Sequence, residues 1–149
     1  MTLRLPLLAQ LGFLAASVLI VGCGGSGLDD EGRVAASGTV TLDSTPLPSG
    51  SVSFVDSTGV VAGVGVIKEG SYTVSKSAGV SGIPAGKYQV QIESWKVEPG
   101  AVDANGEIGG PGVPAIPEAY MSVKTSKLEA DITDGGQNVN DFALKSDGP

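Results

Sequence analysis

The chain has 149 residues, with nine Lys and Arg against sixteen Asp and Glu, a formal net charge of −7, no His, one Cys and 23 Gly. Its length leaves room for one small domain. Without His the chain cannot form a Ser-His-Asp or Cys-His catalytic site or a His-ligated metal, and a single Cys excludes a zinc cluster and an internal disulfide. The acidic balance argues against nucleic acid as a partner, because phosphate binding needs clustered Lys and Arg.

The first 22 residues differ from the rest of the chain. A short basic start, Met1 to Arg4, precedes an uncharged segment, Leu5 to Gly22, which ends directly before Cys23. An aliphatic run that ends in a small residue before the only Cys resembles the lipobox of bacterial lipoproteins. The resemblance implies cleavage after Gly22 and lipidation of Cys23. We therefore expect residues 1–22 to be a lipoprotein signal peptide and Cys23 to attach the protein to a membrane.

A plain transmembrane helix is the alternative for this segment, because its 18 uncharged residues approach the ~20 that span a bilayer. Pro6, Gln10 and the abrupt end of the run at Cys23 argue against a helix of this kind. Gly24 after the Cys resembles the pattern sorted to the outer membrane of bacteria with two membranes. The expected location is therefore the cell envelope, lipid-anchored at the outer membrane.

Residues 23–36 are predicted to be a flexible tether. They are rich in Gly, Ser and acidic residues, with Leu28 and Val34 as the sizeable apolar side chains. Such a segment cannot bury enough surface to order itself. As a flexible chain its root-mean-square reach is roughly 20 Å, which would hold a folded domain clear of the headgroups.

Residues 37–146 are predicted to form one all-β domain. Short runs alternate apolar and polar residues between Gly and Pro, and no stretch has a helical period. The clearest run is Lys87 to Glu93, in which Tyr88, Val90 and Ile92 share the inward face. Seven such runs predict a seven-stranded antiparallel β-sandwich. Asp43 to Gly50 is predicted to be a turn, because its prolines fix φ and withhold ladder donors, and Lys68 to Gly70 is predicted to be a hairpin turn. Residues 96–117 hold five Gly and four Pro and are expected to form a long excursion without strands.

Three stretches resemble carboxypeptidase regulatory-like domains: Gly38 to Asp43, Pro46 to Phe54 and Ile83 to Val90. That family has a transthyretin-like, or prealbumin-like, β-sandwich, and the likeness is strongest to small bacterial lipoproteins that carry one such domain behind a lipobox. It covers residues 37–145 and implies a domain that accompanies or positions other molecules. Hydroxyisourate hydrolases share the fold but use His residues that this chain lacks, so an enzyme of that type is not expected.

Patterns for phosphate or metal chemistry are incomplete. Gly82 to Tyr88 lacks the spacing and the Ser or Thr of a phosphate loop. Asp103 to Glu107 begins like a calcium loop but lacks a third oxygen ligand, and Pro114 stands where the bidentate acid belongs. The sequence therefore predicts no catalytic residue, no metal and no cofactor.

Trp95 and Tyr120 flank the predicted excursion and are the candidate binding residues. A lone Trp at the mouth of a loop is either a binding anchor or a plug that seals the end of a sandwich. The predicted function is a non-catalytic cell-envelope lipoprotein that presents the sandwich as a structural or interaction module. Its partners are the membrane, through lipidated Cys23, and an envelope protein or glycan. The alternative is a carbohydrate- or peptide-binding protein that uses the region from Trp95 to Tyr120.

Overall fold

The computed structural model describes residues 32–77, 79–102 and 105–149. Within these residues the chain is all-β, as predicted, and sandwich-like, with one short 3₁₀ turn at Glu118–Met121. The strands are Arg33–Val34 (β1), Ala36–Leu42 (β2), Thr45–Pro46 (β3), Ser49–Val55 (β4), Val61–Lys68 (β5), Ser71–Ser77 (β6), Val80–Ser81 (β7), Ile83–Pro84 (β8), Gly86–Glu93 (β9), Trp95–Val97 (β10), Val113–Pro114 (β11), Leu128–Ile132 (β12), Asn138–Val139 (β13) and Phe142–Leu144 (β14). They outnumber the seven predicted strands because several predicted connections contain strands of two or three residues.

Ten strands form one curled sheet, in the order β12-β9-β4-β5-β6-β2-β13, with β3 and β14 paired to β2 and β7 paired to β6. The central strand β4 is antiparallel to both β5 and β9. The sheet differs from the purely antiparallel prediction at one edge, where β13 and β14 run parallel to β2. The last strands of the chain therefore complete the sheet beside its first long strand.

Two tight turns set the strand register. Asp43 and Ser44 have φ of 48° and 67°, and Glu69 and Gly70 have φ of 50° and 82°. Positive φ at both central residues is typical of two-residue hairpin turns, whose twist matches that of the flanking strands. The second turn, predicted at residues 68–70, is confirmed by the pairing of β5 with β6 across it.

A chain of aromatic rings runs through the core. The ring centroid of Phe54 lies 6.2 Å from that of Tyr88 and 6.3 Å from that of Tyr72, and Tyr72 stacks on Phe142 at 6.2 Å. The inward residues predicted for β9 are all buried: Tyr88, Val90 and Ile92. Because these rings come from β4, β6, β9 and β14, both halves of the curled sheet share one core.

The fold begins earlier than predicted, inside the segment 23–36. Arg33 pairs with Pro84 and Val34 with Ile83, and both β1 residues are buried. Ala36 starts β2. The tether prediction is therefore wrong for residues 33–36, because strand pairing and the burial of Val34 order a segment whose composition looked too polar to fold. Residues 23–31, like the predicted signal peptide, lie outside the described residues.

The predicted strand-free excursion is a β-hairpin arm, which we call the 95–114 arm. Strands β10 and β11 pair at its base, and Val102 pairs with Ile108 in an isolated bridge nearer its tip. The Gly109 amide donates a 2.7 Å hydrogen bond to the Ala101 carbonyl oxygen. A Cβ at Gly109 would lie 2.6 Å from that same oxygen. The glycines that suggested a loop thus allow the two sides of the arm to approach each other.

Candidate binding groove beside Trp95

Trp95 follows the sheet strand β9 and begins the 95–114 arm. Ser94, just before it, is 1% exposed, and its hydroxyl donates a 2.7 Å hydrogen bond to the Ser49 carbonyl oxygen. The Ser94 carbonyl oxygen accepts a 2.9 Å hydrogen bond from the Ala115 amide. Gly50, with φ of 150°, permits the close approach, because a Cβ there would lie 3.1 Å from the Cβ of Ser94. These contacts hold the backbone before Trp95 on two sides.

The segment from Pro46 to Ser49 faces the same space and is equally constrained. The Leu47 amide donates a 3.0 Å hydrogen bond to the Val40 carbonyl oxygen, and the Gly70 amide donates a 2.8 Å hydrogen bond to the Leu47 carbonyl oxygen. The Leu47 side chain is 3% exposed. Pro46 and Pro48 each fix φ, so this segment is a rigid wall.

A groove of about 430 Å³ lies between Trp95 and this wall. This volume falls within the range of ~300–1,000 Å³ found for ligand sites. Trp95 is half-buried, so part of its side chain is fixed and part is accessible. We call this site the Trp95 groove, and its apolar lining consists of Leu42, Pro46, Leu47, Pro48, Trp95 and Ala115.

Two opposite charges, Asp43 and Lys96, also line the groove. The Asp43 carboxylate accepts a 3.1 Å hydrogen bond from the Ser146 amide. Hydrogen bonds from the side chain and the amide of Ser146 hold the pKa of Asp43 below its usual value. Asp43 is therefore a carboxylate at neutral pH, and the groove offers both an anion and a cation beside an apolar surface.

The structure does not bring Tyr120, the second predicted binding residue, into the groove. Tyr120 lies in the 3₁₀ turn, is 3% exposed and packs in the hydrophobic core. Its hydroxyl oxygen accepts a 3.1 Å hydrogen bond from the Lys145 amide. The burial of Tyr120 contradicts the prediction that it contributes to a binding surface. The region between Trp95 and Tyr120 contains the hairpin of the 95–114 arm rather than one continuous loop.

The sequence predicts a turn at Pro46, Leu47 and Pro48 but does not connect these residues with Trp95. Antiparallel pairing of β4 with β9 brings them together, because it places Ser49 beside Ser94. Such a pairing between distant segments leaves no local pattern in the sequence. The available signal was the pair of prolines around a leucine, which is unusually apolar for an exposed turn.

The 95–114 arm carries further apolar surface next to the groove. Val97 and Val113 are cross-strand partners and are each about half exposed. Val102 and Ile108, nearer the tip, are 65% and 80% exposed. Several apolar side chains exposed on one element are typical of an interaction surface.

A second groove, of about 520 Å³, lies where the chain begins β9. It is lined in part by Lys87 and Asp131, whose Nζ and Oδ2 atoms are 2.6 Å apart. The hydrogen bond and the charge of Asp131 raise the pKa of Lys87. Both side chains are largely exposed, so water screens the pair and Lys87 stays protonated at neutral pH. Lys87 is therefore not a general base at neutral pH.

Among residues 32–77, 79–102 and 105–149, no group of three His, Cys, Asp or Glu side chains lies close enough together to hold a metal ion. Asp103, the first residue of the incomplete calcium pattern, is outside the described part of the chain, as is Cys23. The described residues contain no helix with the length and apolar character needed to cross a membrane.

No protein-family model, no curated protein and no solved structure matches the chain. The likeness to carboxypeptidase regulatory-like domains therefore stays a prediction.

Proposed function

We propose that the protein is a non-catalytic lipoprotein of the cell envelope that binds an extended peptide segment in the Trp95 groove. The observation that carries the proposal is the half-buried Trp95 beside the rigid segment from Pro46 to Ser49. Aromatic side chains in such settings dominate binding energy at interfaces. Because both walls are already ordered, a ligand loses little free energy to the ordering of the protein.

The chemistry of the groove favours a peptide over a glycan. A sugar ring stacks one face on Trp but needs hydrogen-bond partners for the hydroxyls around its rim. Here the Ser94 hydroxyl already donates to Ser49, and the Asp43 carboxylate already accepts from Ser146. Apolar or proline side chains of an extended peptide instead fit an aromatic-lined groove. Lys96, which also lines the groove, can meet a carbonyl group of the peptide.

The lipobox-like sequence before Cys23 supports the lipid anchor and the envelope location. It makes an envelope protein the natural source of the peptide. Metabolic labelling with a palmitate analogue tests the anchor, because wild type should be labelled and Cys23→Ala should not. Absence of label from the wild type would contradict the lipid anchor. The groove would then belong to a domain that is not attached to a membrane.

Binding is testable with the protein's own fluorescence, since Trp95 is its only tryptophan. We expect short peptides that contain proline and leucine to change the fluorescence in a saturable way, and glycan oligomers to leave it unchanged. Calorimetry should then show an affinity about tenfold or more weaker for Trp95→Ala, as expected for loss of a central aromatic contact. Val139→Ala is the matched control, because Val139 is 60% exposed on β13, away from the groove.

Two outcomes would contradict the peptide proposal. Saturable binding of glycans but not of peptides would assign the groove to carbohydrate. Peptide binding with equal affinity in wild type and Trp95→Ala would place the binding surface elsewhere on the domain.

A further inference from the structure

The domain has two ends, which strand β9 connects. The first residue of β9, Gly86, lies at the end where β8 pairs with β1. The last residue of β9, Glu93, lies two residues before Trp95. Eight residues of extended strand separate the ends by roughly 25 Å. The antiparallel strand β4 runs the other way, with Ser49 at the groove and Val55 paired with Gln89 in the first half of β9. We call these the entry end and the groove end.

The described chain joins the fold at the entry end. Arg33 and Val34 pair with β8, and they are 5% and 6% exposed. Gly82 makes room for this strand, because it has φ of 77° and a Cβ there would lie 2.5 Å from the Val34 carbonyl oxygen. The Gly82 amide is itself held by a 3.0 Å hydrogen bond to the Val74 carbonyl oxygen. β1 is therefore seated in a fitted position on the domain.

Seating of β1 shortens the chain between Cys23 and the fold. Nine residues lead from Cys23 to Gly32, and nine residues span at most about 32 Å. If residues 33–36 were released, the span would grow by roughly 14 Å. The seated strand thus decides how far the domain can move from a lipid on Cys23.

This length restricts how the domain can face a membrane. If the groove end pointed at the bilayer, Gly32 would stand at least the length of β9 above it, and the nine residues would have to span roughly 25 Å of their maximum of about 32 Å. A flexible chain of this length has a root-mean-square span of only roughly 17 Å. A span of roughly 25 Å is therefore opposed by chain entropy. An entry end near the membrane requires no such span.

Resting on the lipid anchor of the proposed function, we infer that seated β1 keeps the Trp95 groove turned away from the anchoring membrane, toward a peptide presented from the aqueous compartment. Lipids of the anchoring bilayer are then out of reach of the groove.

The test uses the full-length lipidated protein in phosphatidylcholine vesicles that carry an energy-transfer acceptor on a lipid. With Cys23 lipidated, a single added Cys takes the donor dye, either by Ser57→Cys at the entry end or by Lys68→Cys at the groove end, both exposed positions. We expect several-fold stronger transfer from position 57 than from position 68. An insertion of Gly and Ser residues after Gly27 lengthens the chain without touching β1, and should remove most of the difference.

Equal transfer from the two positions, or stronger transfer from position 68, would overturn the orientation. A difference that survives the long insertion would show that chain length is not its cause. Failure of the proposed function looks different: without the anchor the protein does not associate with the vesicles, and without a binding groove the peptide titrations fail while the transfer ranking holds.

Discussion

The Ser94 hydroxyl donates a 2.7 Å hydrogen bond to the carbonyl oxygen of Ser49, although 45 residues separate them in the chain. This contact joins the end of β9 to the start of β4. It therefore fixes Trp95, on one side, relative to Pro48, on the other, and sets the width of the Trp95 groove.

Ser94→Ala should weaken both stability and peptide binding. The Ser49 carbonyl oxygen loses its partner at a buried site, which costs about 1–3 kcal/mol in the free energy of unfolding. Urea denaturation measures this loss, and calorimetry with the fluorescence-selected peptide measures the affinity. Ser57→Ala, at an exposed position, is the control and should change neither. An unchanged free energy of unfolding for Ser94→Ala would show that the bond does not hold the strands together.

Gly63→Ala should destabilise the domain through overpacking. A Cβ at Gly63 would lie 2.8 Å from Cγ1 of Val74 and closer still to Cγ2 of Ile83, both buried in the core. We expect a loss of about 1–3 kcal/mol in the free energy of unfolding. Gly110→Ala, which meets no atom within 4 Å, should stay within about 0.5 kcal/mol of wild type. Equal stabilities for the two variants would mean that the core can yield at Gly63.

Stability should fall in alkaline solution because of Tyr72. Its hydroxyl donates a 2.6 Å hydrogen bond to the Asn140 carbonyl oxygen, and burial, with a smaller contribution from Asp141, raises the pKa of Tyr72. The folded state therefore keeps this proton when the unfolded state begins to lose it. The contribution to stability is complete below about pH 10 and declines as the pH rises further.

Urea denaturation between about pH 8 and about pH 11 tests this decline. Tyr72→Phe should remove only part of this decline in stability, because Tyr88 remains in the variant and burial raises its pKa as well. Val139→Ala should keep the wild-type slope. If the free energy of unfolding of Tyr72→Phe fell with pH as steeply as that of wild type, Tyr72 would be excluded as the source of the decline.

A substitution at Tyr120 should change the stability of the domain and not its peptide affinity, whereas a substitution at Trp95 should lower the peptide affinity. Tyr120→Phe removes the acceptor of the Lys145 amide and should cost about 1 kcal/mol in the free energy of unfolding, with peptide affinity unchanged. Trp95→Ala should reduce affinity about tenfold or more. Loss of affinity in Tyr120→Phe would restore the binding role that its burial argues against.

Alternation along the sequence was enough to predict the β class and much of the core. Tyr88, Val90 and Ile92 are inward as their period of two requires, and Val139, out of phase with the residues that follow it, is 60% exposed. Local chemistry also predicted the turn at residues 68–70. These features depend on neighbours within a few positions, which a single sequence displays directly.

Features that depend on distant pairing could not be predicted. Arg33 and Val34 are ordered by β8, about fifty residues away. The strand pairing in the 95–114 arm could not be predicted, because its glycines and prolines are typical of a loop. Trp95 was found because a lone aromatic at a strand end is conspicuous, whereas Pro46 and Pro48 became part of its site only through the register between β4 and β9. The binding role predicted for Tyr120 was wrong for the same reason, because the sequence alone does not show which aromatic side chains are buried in the core.

The parallel pairing of β14 with β2 has a consequence for how the domain forms. Val40 and Phe142 are register partners across 102 positions of the chain, and contacts of such long range form late and slowly. Until residues 142–144 are in place, a folding chain leaves the edge of β2 uncovered, open to pairing with other molecules. This edge is covered only when residues 142–144 have paired with β2.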